Sequence, residues 1–193
     1  MKHRYSLLLW GFIVLLFVQC AKRGNPTGGP KDETPPVLLR ADPELNTTHF
    51  NEERIRLYFD EYVKLNKLKD QLIVSPPLDP AAYIISPQSS AAKYVQIELM
   101  DTLRPNTTYN FNFGQSIVDN NEGNPYPYFR YVFSTGDYVD SLQVRGTIGN
   151  AFGRETKNFV SVMLYAVDST YNDSIIYQQP PDYLTNTLDS LEV

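Results

Sequence analysis

Hydrophobic and polar residues alternate along several short stretches of the chain, with the period of two that a β-strand requires. The clearest stretch is Tyr109–Phe113, where aromatic residues alternate with two asparagines. Each such stretch predicts a strand with one buried face and one wet face. In three further stretches the predicted inward residues are Ile55, Leu57 and Phe59; Val95, Ile97 and Leu99; and Phe129, Tyr131 and Phe133.

Short predicted strands follow one another closely, separated by Pro and Gly. They comprise residues 37–39, 54–60, 71–75, 83–85, 94–99, 109–113 and 128–134. Residues 61–70 are predicted as a loop with room for one helical turn, and residues 114–127 as a long loop. Seven short strands over about 100 residues are typical of an Ig-like antiparallel β-sandwich. We therefore predict an all-β fold, with the Ig-like sandwich at residues 37–136.

The residues before the strand at 109–113 support this fold. Leu103, Pro105, Thr107 and Tyr109 stand at alternate positions. This pattern resembles the tyrosine corner of Ig-like and fibronectin type III sandwiches, in which a Tyr early in strand F bonds through its hydroxyl to the preceding turn. We predict that Leu103, Pro105 and Tyr109 form such a corner. The alternative is an ordinary strand after a proline turn.

Alternation resumes beyond residue 141. Residues 142–148 and 159–167 have strand patterns, and residues 174–177 form a third short apolar segment. About 50 residues are marginal for an independent domain that has no disulfide or metal. Residues 142–193 are therefore predicted to be a partial, truncated second β-sandwich.

The N-terminus, residues 1–19, has the pattern of a signal peptide. A short basic start precedes the apolar run Leu7–Val18, which is shorter than the roughly 20 residues of a spanning helix. Cys20, the only cysteine, follows at once and has no partner for an internal disulfide. Residues 17–20 resemble a lipobox, in which the cysteine is lipidated, although Gln19 stands where a small residue is preferred. An uncleaved anchor and an unmodified Cys20 are the alternatives.

Residues 20–36 are rich in Gly, Pro and charge, which predicts a tether between lipid and domain. Ala21 resembles the sorting pattern of outer-membrane lipoproteins, which implies a Gram-negative envelope with the protein facing the periplasm or the surface. Without residues 1–19 the chain has 15 basic and 22 acidic residues, so no nucleic-acid partner is expected. The expected partners are the membrane, through lipid on Cys20, and an envelope protein or glycan.

The sequence contains one oxygen-rich loop. Asp119, Asn121 and Glu122 precede Gly123 as in a calcium loop, but Arg130 stands where an EF-hand needs its bidentate Glu. Two interpretations stay open. One is a different calcium site on Asp119, Asn121 and Glu122, and the other is a turn in which Asp and Asn bond their own backbone.

Other candidate chemistry is sparse. Tyr126 and Tyr128, beside that loop, are candidates for stacking on sugar rings or on a partner's surface, or else they pack on the domain edge. His49 is the only histidine after the leader, and the adjacent carboxylates of Asp60 and Glu61 diverge on a strand. The sequence has neither a phosphate-binding glycine loop nor a His or Cys metal cluster. We expect no active site, no cofactor and no resident metal.

Four motifs together resemble one family. They are PTGGPKDETPP at 26–36, FDEYV at 59–63, NTTY at 106–109 and DNNEGNP at 119–125. They are similar to the Ig-like domain lipoproteins of Bacteroidota, whose first domain is of the bacterial Ig-like type found also in S-layer proteins. The resemblance implies that residues 142–193 begin a prealbumin-like or carboxypeptidase-regulatory-like sandwich that continues past Val193.

The same resemblance implies a function. It is that of a non-enzymatic, lipid-anchored envelope protein whose Ig-like modules act as spacers or interaction modules. The alternatives are a surface glycan- or protein-binding lipoprotein and a fragment of a larger envelope protein whose active part is missing.

Overall fold

The structure is a computed structural model that describes residues 29–149, 160–169 and 171–187. The predictions on the signal peptide, on Cys20 and on most of the tether lie outside these described residues. From Glu33 onward the described residues belong to one compact unit. No helix in the described part of the chain is long and apolar enough to cross a membrane.

Eight strands between residues 38 and 134 form two antiparallel sheets. The first sheet has the order β1-β2-β5-β4, with β7 also paired to β2, and the second has the order β3-β6-β8. This is the ABED and CFG arrangement of a constant-type Ig sandwich, with β7 added. The predicted all-β, Ig-like sandwich is confirmed. The strands are β1 Leu38–Asp42, β2 Arg54–Leu65, β3 Ile73–Ser75, β4 Tyr83–Ser86, β5 Ala92–Leu99, β6 Thr108–Gly114, β7 Ile117–Asp119 and β8 Phe129–Ser134.

The alternation of the strands decides which residues enter the core. Ile55 pairs with Ile97, and Leu57 with Val95, across β2 and β5. All four side chains are fully buried. Residues opposite each other in register point to the same side of a sheet, so the two strands present one continuous apolar surface to the second sheet.

Phe133 on β8 is the centre of an aromatic cluster in the core. Its ring centroid lies 4.0 Å from that of Phe50, 5.6 Å from Tyr109, 5.9 Å from Tyr131 and 6.3 Å from Phe111. The rings of Tyr109 and Phe111 each stack on that of Phe133, both at an interplanar angle of 19°. Such pairs add about 0.5–1.5 kcal/mol each beyond the area they bury, so this cluster links β6, β8 and the segment before β2.

Tyr131 is a buried tyrosine whose hydroxyl also has a structural partner. Its O–H donates to the carbonyl of Pro43 at 2.9 Å. Burial raises the pKa of Tyr131, and the nearby charge of Asp42 raises it further. The phenol therefore stays protonated and ties the chain after β1 to the second sheet.

The predicted loops at residues 61–70 and 114–127 contain more structure than the sequence indicated. β2 continues to Leu65, and the strand β7 lies inside the predicted loop at 114–127. These two missed parts pair with each other, with Val63 opposite Asp119 and Leu65 opposite Ile117. A single helical turn, α1, follows at Leu68–Gln71.

The prediction of a strand at residues 142–148 is wrong. The segment has no regular structure, and Leu142 and Val144 are 97% and 92% exposed. Alternation alone does not stabilise a strand that has no partner, and no described strand pairs with this one. The segment predicted at 174–177 is also not a strand, since Ile175–Tyr177 form a short 3₁₀ helix.

One antiparallel pair of strands lies in the C-terminal part that the structure describes. The strands are β9, Ser161–Leu164, inside the stretch predicted at 159–167, and β10, Tyr183–Asn186. The backbone N–H of Leu184 donates to Ser75 Oγ on β3 at 3.0 Å. This pair therefore lies beside the edge strand of the second sheet.

Candidate functional site

Tyr109, at the start of β6, closes the turn that precedes the strand. It is fully buried, and its Oη accepts a hydrogen bond from the backbone N–H of Arg104 at 2.9 Å. Leu103 packs against the core, Pro105 is exposed in the turn, and Asn106 has a left-handed φ of 49°. The structure thus brings Leu103, Pro105 and Tyr109 together around one turn, in the geometry described for an Ig tyrosine corner.

Thr135, which follows β8, also holds this turn, and no local pattern in the sequence predicts this role. Its hydroxyl donates to the carbonyl of Arg104 at 2.7 Å and accepts from the N–H of Thr107 at 2.9 Å. The bond to Arg104 is exposed and the bond from Thr107 is half-buried, so each is of the ordinary kind that contributes about 0.5–1.5 kcal/mol. The hydroxyl therefore satisfies two main-chain groups of the turn at once.

Asp119 organises the loop after β7. Its Oδ1 accepts from the N–H groups of Glu122 at 2.7 Å and Gly123 at 3.1 Å, and its Oδ2 accepts from Asn124 at 2.6 Å. Burial raises the pKa of the carboxyl, but hydrogen bonds from the N–H groups of Gly123, Asn124, Glu122 and Asn121 lower it by a larger amount. The pKa therefore lies below its ordinary value of 3.8. The carboxylate is thus a cap for the loop backbone.

The rest of this loop agrees with the turn interpretation. Asn121 and Glu122 are exposed, and Gly123 has a φ of 82°, a conformation that glycine adopts without strain. The described part of the chain contains no group of three or more His, Cys, Asp or Glu residues that could hold a metal ion. The geometry therefore favours a hydrogen-bonded turn over a calcium site at Asp119, Asn121 and Glu122.

Tyr126 and Tyr128 differ in what they offer a ligand. The ring of Tyr126 is half-buried and meets Phe59 and Phe129 edge to face, at centroid distances of 5.9 Å and 5.5 Å. Tyr128 is half-buried and has a φ of 45°. Because the ring of Tyr126 already packs against the core, this stretch does not present two free rings side by side.

The residues considered for catalysis have structural neighbours. His49 Nδ1 lies 3.6 Å from Asp137 Oδ1, and both side chains are exposed. Asp60 Oδ1 accepts from the N–H of Val37 at 2.8 Å. Neither arrangement has the nucleophile and oriented base of a hydrolytic triad.

An open cleft of about 440 Å³ lies at one end of the sandwich, between the segment before β2 and the segment after β5. Its acidic residues are Glu52, Glu53 and Asp101, and no histidine, lysine or arginine lines it. The cleft is therefore acidic.

The outer face of the first sheet carries a set of cationic and aromatic side chains, which we call the Arg–Tyr face. In register, Arg40 on β1 lies opposite Tyr58 on β2, which lies opposite Tyr94 on β5. One row therefore crosses three strands. The face consists of Arg40, Arg56, Tyr58, Tyr62, Lys93 and Tyr94.

Each cation of this face lies near an aromatic ring. Arg40 Cζ is 3.7 Å from the ring centroid of Tyr58, Arg56 Cζ is 5.5 Å from that of Tyr94, and Lys93 Nζ is 5.7 Å from that of Tyr62. Exposed cation–π contacts contribute about 0.5–1 kcal/mol each. The only signal in the sequence was the outward alternation of the strands, because the pairing of the rows depends on which strands are neighbours.

Comparison with known proteins gives one family. No curated protein matches the chain. A family model described as "Bacterial Ig-like domain" matches residues 32–135, which is more than half of the chain and includes all eight strands of the sandwich. Domains of this family are typically non-catalytic structural modules and occur in cell-surface and envelope proteins. The chain therefore belongs to the bacterial Ig-like domain family.

Proposed function

We propose that this protein is a non-enzymatic, lipid-anchored component of the outer membrane, in which the Ig-like sandwich acts as a spacer or interaction module. The observation that carries the proposal is the position of the family match. It begins at residue 32, within the Gly- and Pro-rich segment that follows a lipobox-like Cys20. Signal run, single cysteine, tether and sandwich thus follow in the order of an anchored envelope module.

Each part has a physical role in this proposal. Lipid on Cys20 holds the chain at the membrane, and residues 20–36 set the reach of the sandwich. A fully extended tether of this length spans at most about 60 Å. The sandwich itself keeps its shape through the aromatic core around Phe133, so it separates whatever follows it from the membrane.

Residues 142–193 enter the proposal as part of a second β module. The antiparallel pair β9–β10 supports this, since it supplies two strands of such a module. A surface glycan- or protein-binding lipoprotein is the second candidate, and the Arg–Tyr face is the observation that favours it.

Replacement of the cysteine tests the anchor. We expect the wild-type protein to enter the detergent phase of the outer-membrane fraction and to be labelled by a fatty-acid analogue. The Cys20→Ala variant should do neither. Gln19→Ala is the matched control, because it brings a small residue to the position before the cysteine and should leave anchoring intact. A Cys20→Ala protein that stays in the outer-membrane detergent phase would overturn the lipoprotein proposal.

A further inference from the structure

We propose that the Arg–Tyr face binds an acidic polysaccharide, with uronate carboxylates on its guanidinium groups and sugar rings against its tyrosines. The proposal assigns a ligand to a surface that the spacer role does not use. It does not depend on lipid at Cys20, so the two proposals fail independently.

The charge of the face contrasts with that of the chain. The protein has 22 acidic and 17 basic residues, whereas the face contributes Arg40, Arg56 and Lys93. The ion pairs within the described part are His49 with Asp137 and Arg54 with Glu98. Asp42 stands opposite Arg56 in register but not within ion-pair distance. Asp60 is exposed on the same strand as Arg56, and its carbonyl accepts from Lys93 Nζ at 3.1 Å. With Asp42 and Asp60 counted, three cations stand against two carboxylates, so the net charge of this surface is positive whereas that of the chain is negative.

The two guanidinium groups are held in place before a ligand arrives. Arg40 is stacked on Tyr58 at 3.7 Å. The Nε of Arg56 donates to Gln96 Oε1 at 2.9 Å, which leaves its terminal nitrogens for a ligand. A guanidinium fork binds a carboxylate through two parallel hydrogen bonds. Since the side chains are already ordered, little conformational entropy is lost on binding.

The composition of the face favours a carbohydrate over a protein partner. The core of a protein interface is enriched in Tyr and Arg, but it is otherwise apolar and depleted in Lys, Glu and Asp. Here the tyrosines alternate with charged and amide groups, and the aliphatic Ile84 lies only on the edge strand β4. A sugar polymer has the matching surface, because each ring offers a C–H face for stacking and hydroxyls for polar neighbours.

The rings are also accessible and regularly placed. Tyr62 and Tyr94 are 56% and 38% exposed. Neighbouring strands lie about 4.8 Å apart, which is comparable to the repeat of a linear pyranose polymer. A polymer that runs across β1, β2 and β5 therefore passes one side chain of the Arg40–Tyr58–Tyr94 row per sugar.

The test measures binding of oligogalacturonate to the detergent-solubilised full chain by titration calorimetry. We expect salt-sensitive binding to the wild type, and about tenfold weaker binding for the double variant Arg40→Gln/Arg56→Gln and for Tyr94→Ala. Arg130→Gln is the matched control. Arg130 is exposed on β8 opposite Asn112, on the outer face of the other sheet, and the variant should bind as the wild type does.

Two comparison polymers separate the proposal from its rivals. Neutral dextran tests whether the carboxylates are needed, and polyglutamate tests whether any polyanion suffices. If the wild type binds both dextran and polyglutamate more weakly than oligogalacturonate, the result supports the proposal. No binding of oligogalacturonate to the wild type would overturn it, and so would an equal loss in Arg130→Gln. Equal affinity for polyglutamate would replace it with an acidic polypeptide partner. Near-ultraviolet circular dichroism of each variant identifies losses that come from misfolding.

Discussion

The backbone N–H of Arg104 donates to the hydroxyl of Tyr109 at 2.9 Å, five residues further along the chain. The carbonyl of the same Arg104 accepts from Thr135 Oγ1 at 2.7 Å. Both main-chain groups of one turn residue are therefore satisfied by side chains, one from β6 and one from the segment after β8. The crossover between the two sheets is fixed at this residue.

Replacement of Tyr109 tests the corner. Tyr109→Phe keeps the buried ring and removes only the hydroxyl, so it should cost about 1–3 kcal/mol of the free energy of unfolding. Tyr109→Ala also empties the site and should cost about 3–5 kcal/mol. Chemical denaturation measures both. Tyr62→Phe removes an exposed hydroxyl and is the control, and a Tyr109→Phe variant as stable as this control would contradict the corner.

Thr135 should be coupled to Tyr109 through the turn they share. Thr135→Val keeps the side-chain shape but removes the hydrogen bonds with the exposed carbonyl of Arg104 and the half-buried N–H of Thr107, so we expect a loss of about 1 kcal/mol. Thr135→Ser retains the hydroxyl and should keep most of the wild-type stability. In a double-mutant cycle with Tyr109→Phe, the two losses should not add, because both disturb Arg104. Strict additivity would show that the two hydroxyls act independently.

The buried faces of the strands could be predicted from the sequence. Ile55 and Leu57 on β2, and Val95 and Ile97 on β5, alternate with polar residues, and all four are buried. A period of two is a local property of the chain, so it can be read without knowing which strands are neighbours. The same holds for Tyr109, whose distance from its turn is fixed by the sequence itself.

The features that were missed depend on long-range pairing. β7 has only three residues in a polar loop, and it becomes a strand because Ile117 pairs with Leu65 on the extension of β2. The row from Arg40 to Tyr94 likewise exists only because β1, β2 and β5 are neighbours. Conversely, residues 142–148 alternate well, but no described strand pairs with them. The local pattern of residues thus indicates which face of a segment is apolar. Pairing with a neighbouring strand determines whether the segment becomes a strand.

The sandwich should fold without the rest of the chain. Residues 37–136 contain both sheets and the aromatic cluster around Phe133, and no disulfide or metal is needed. Expressed alone, this piece should give an all-β circular dichroism spectrum and one cooperative melting transition. The contacts it loses lie at its margins: hydrogen bonds from Leu184 to Ser75, from Asp140 to Thr108 and from Asn124 to Thr34, and the exposed pair of His49 with Asp137. Its stability should therefore be close to that of the full chain. A helix-rich spectrum or a gradual melt would count against the assigned domain.

Asp119 should make the loop after β7 sensitive to acid. Burial raises the pKa of its carboxyl, but the hydrogen bonds from Gly123, Asn124, Glu122 and Asn121 outweigh this and lower it below 3.8. The native state therefore holds this carboxylate ionised at a pH where the unfolded chain has already bound a proton. A lowered native pKa contributes stability that is complete above the unfolded value and is lost as the pH falls through the native value.

Asp119→Asn isolates this contribution, because the amide has nearly the same shape but does not titrate and offers one acceptor oxygen in place of two. At neutral pH the variant should be less stable than the wild type, since one of the N–H groups of Glu122, Gly123 and Asn124 loses its acceptor. As the pH falls below the unfolded pKa of 3.8 and through the lower native value, the two stabilities should converge because the wild-type carboxyl is protonated. Urea denaturation at a series of pH values measures the difference.

Glu122→Gln is the control, because it removes the same charge from an exposed position in the same loop. Its stability should show no such convergence with that of the wild type. If the difference in stability between Asp119→Asn and the wild type stays constant down to the lowest pH, the Asp119 carboxylate does not stabilise the loop through these hydrogen bonds.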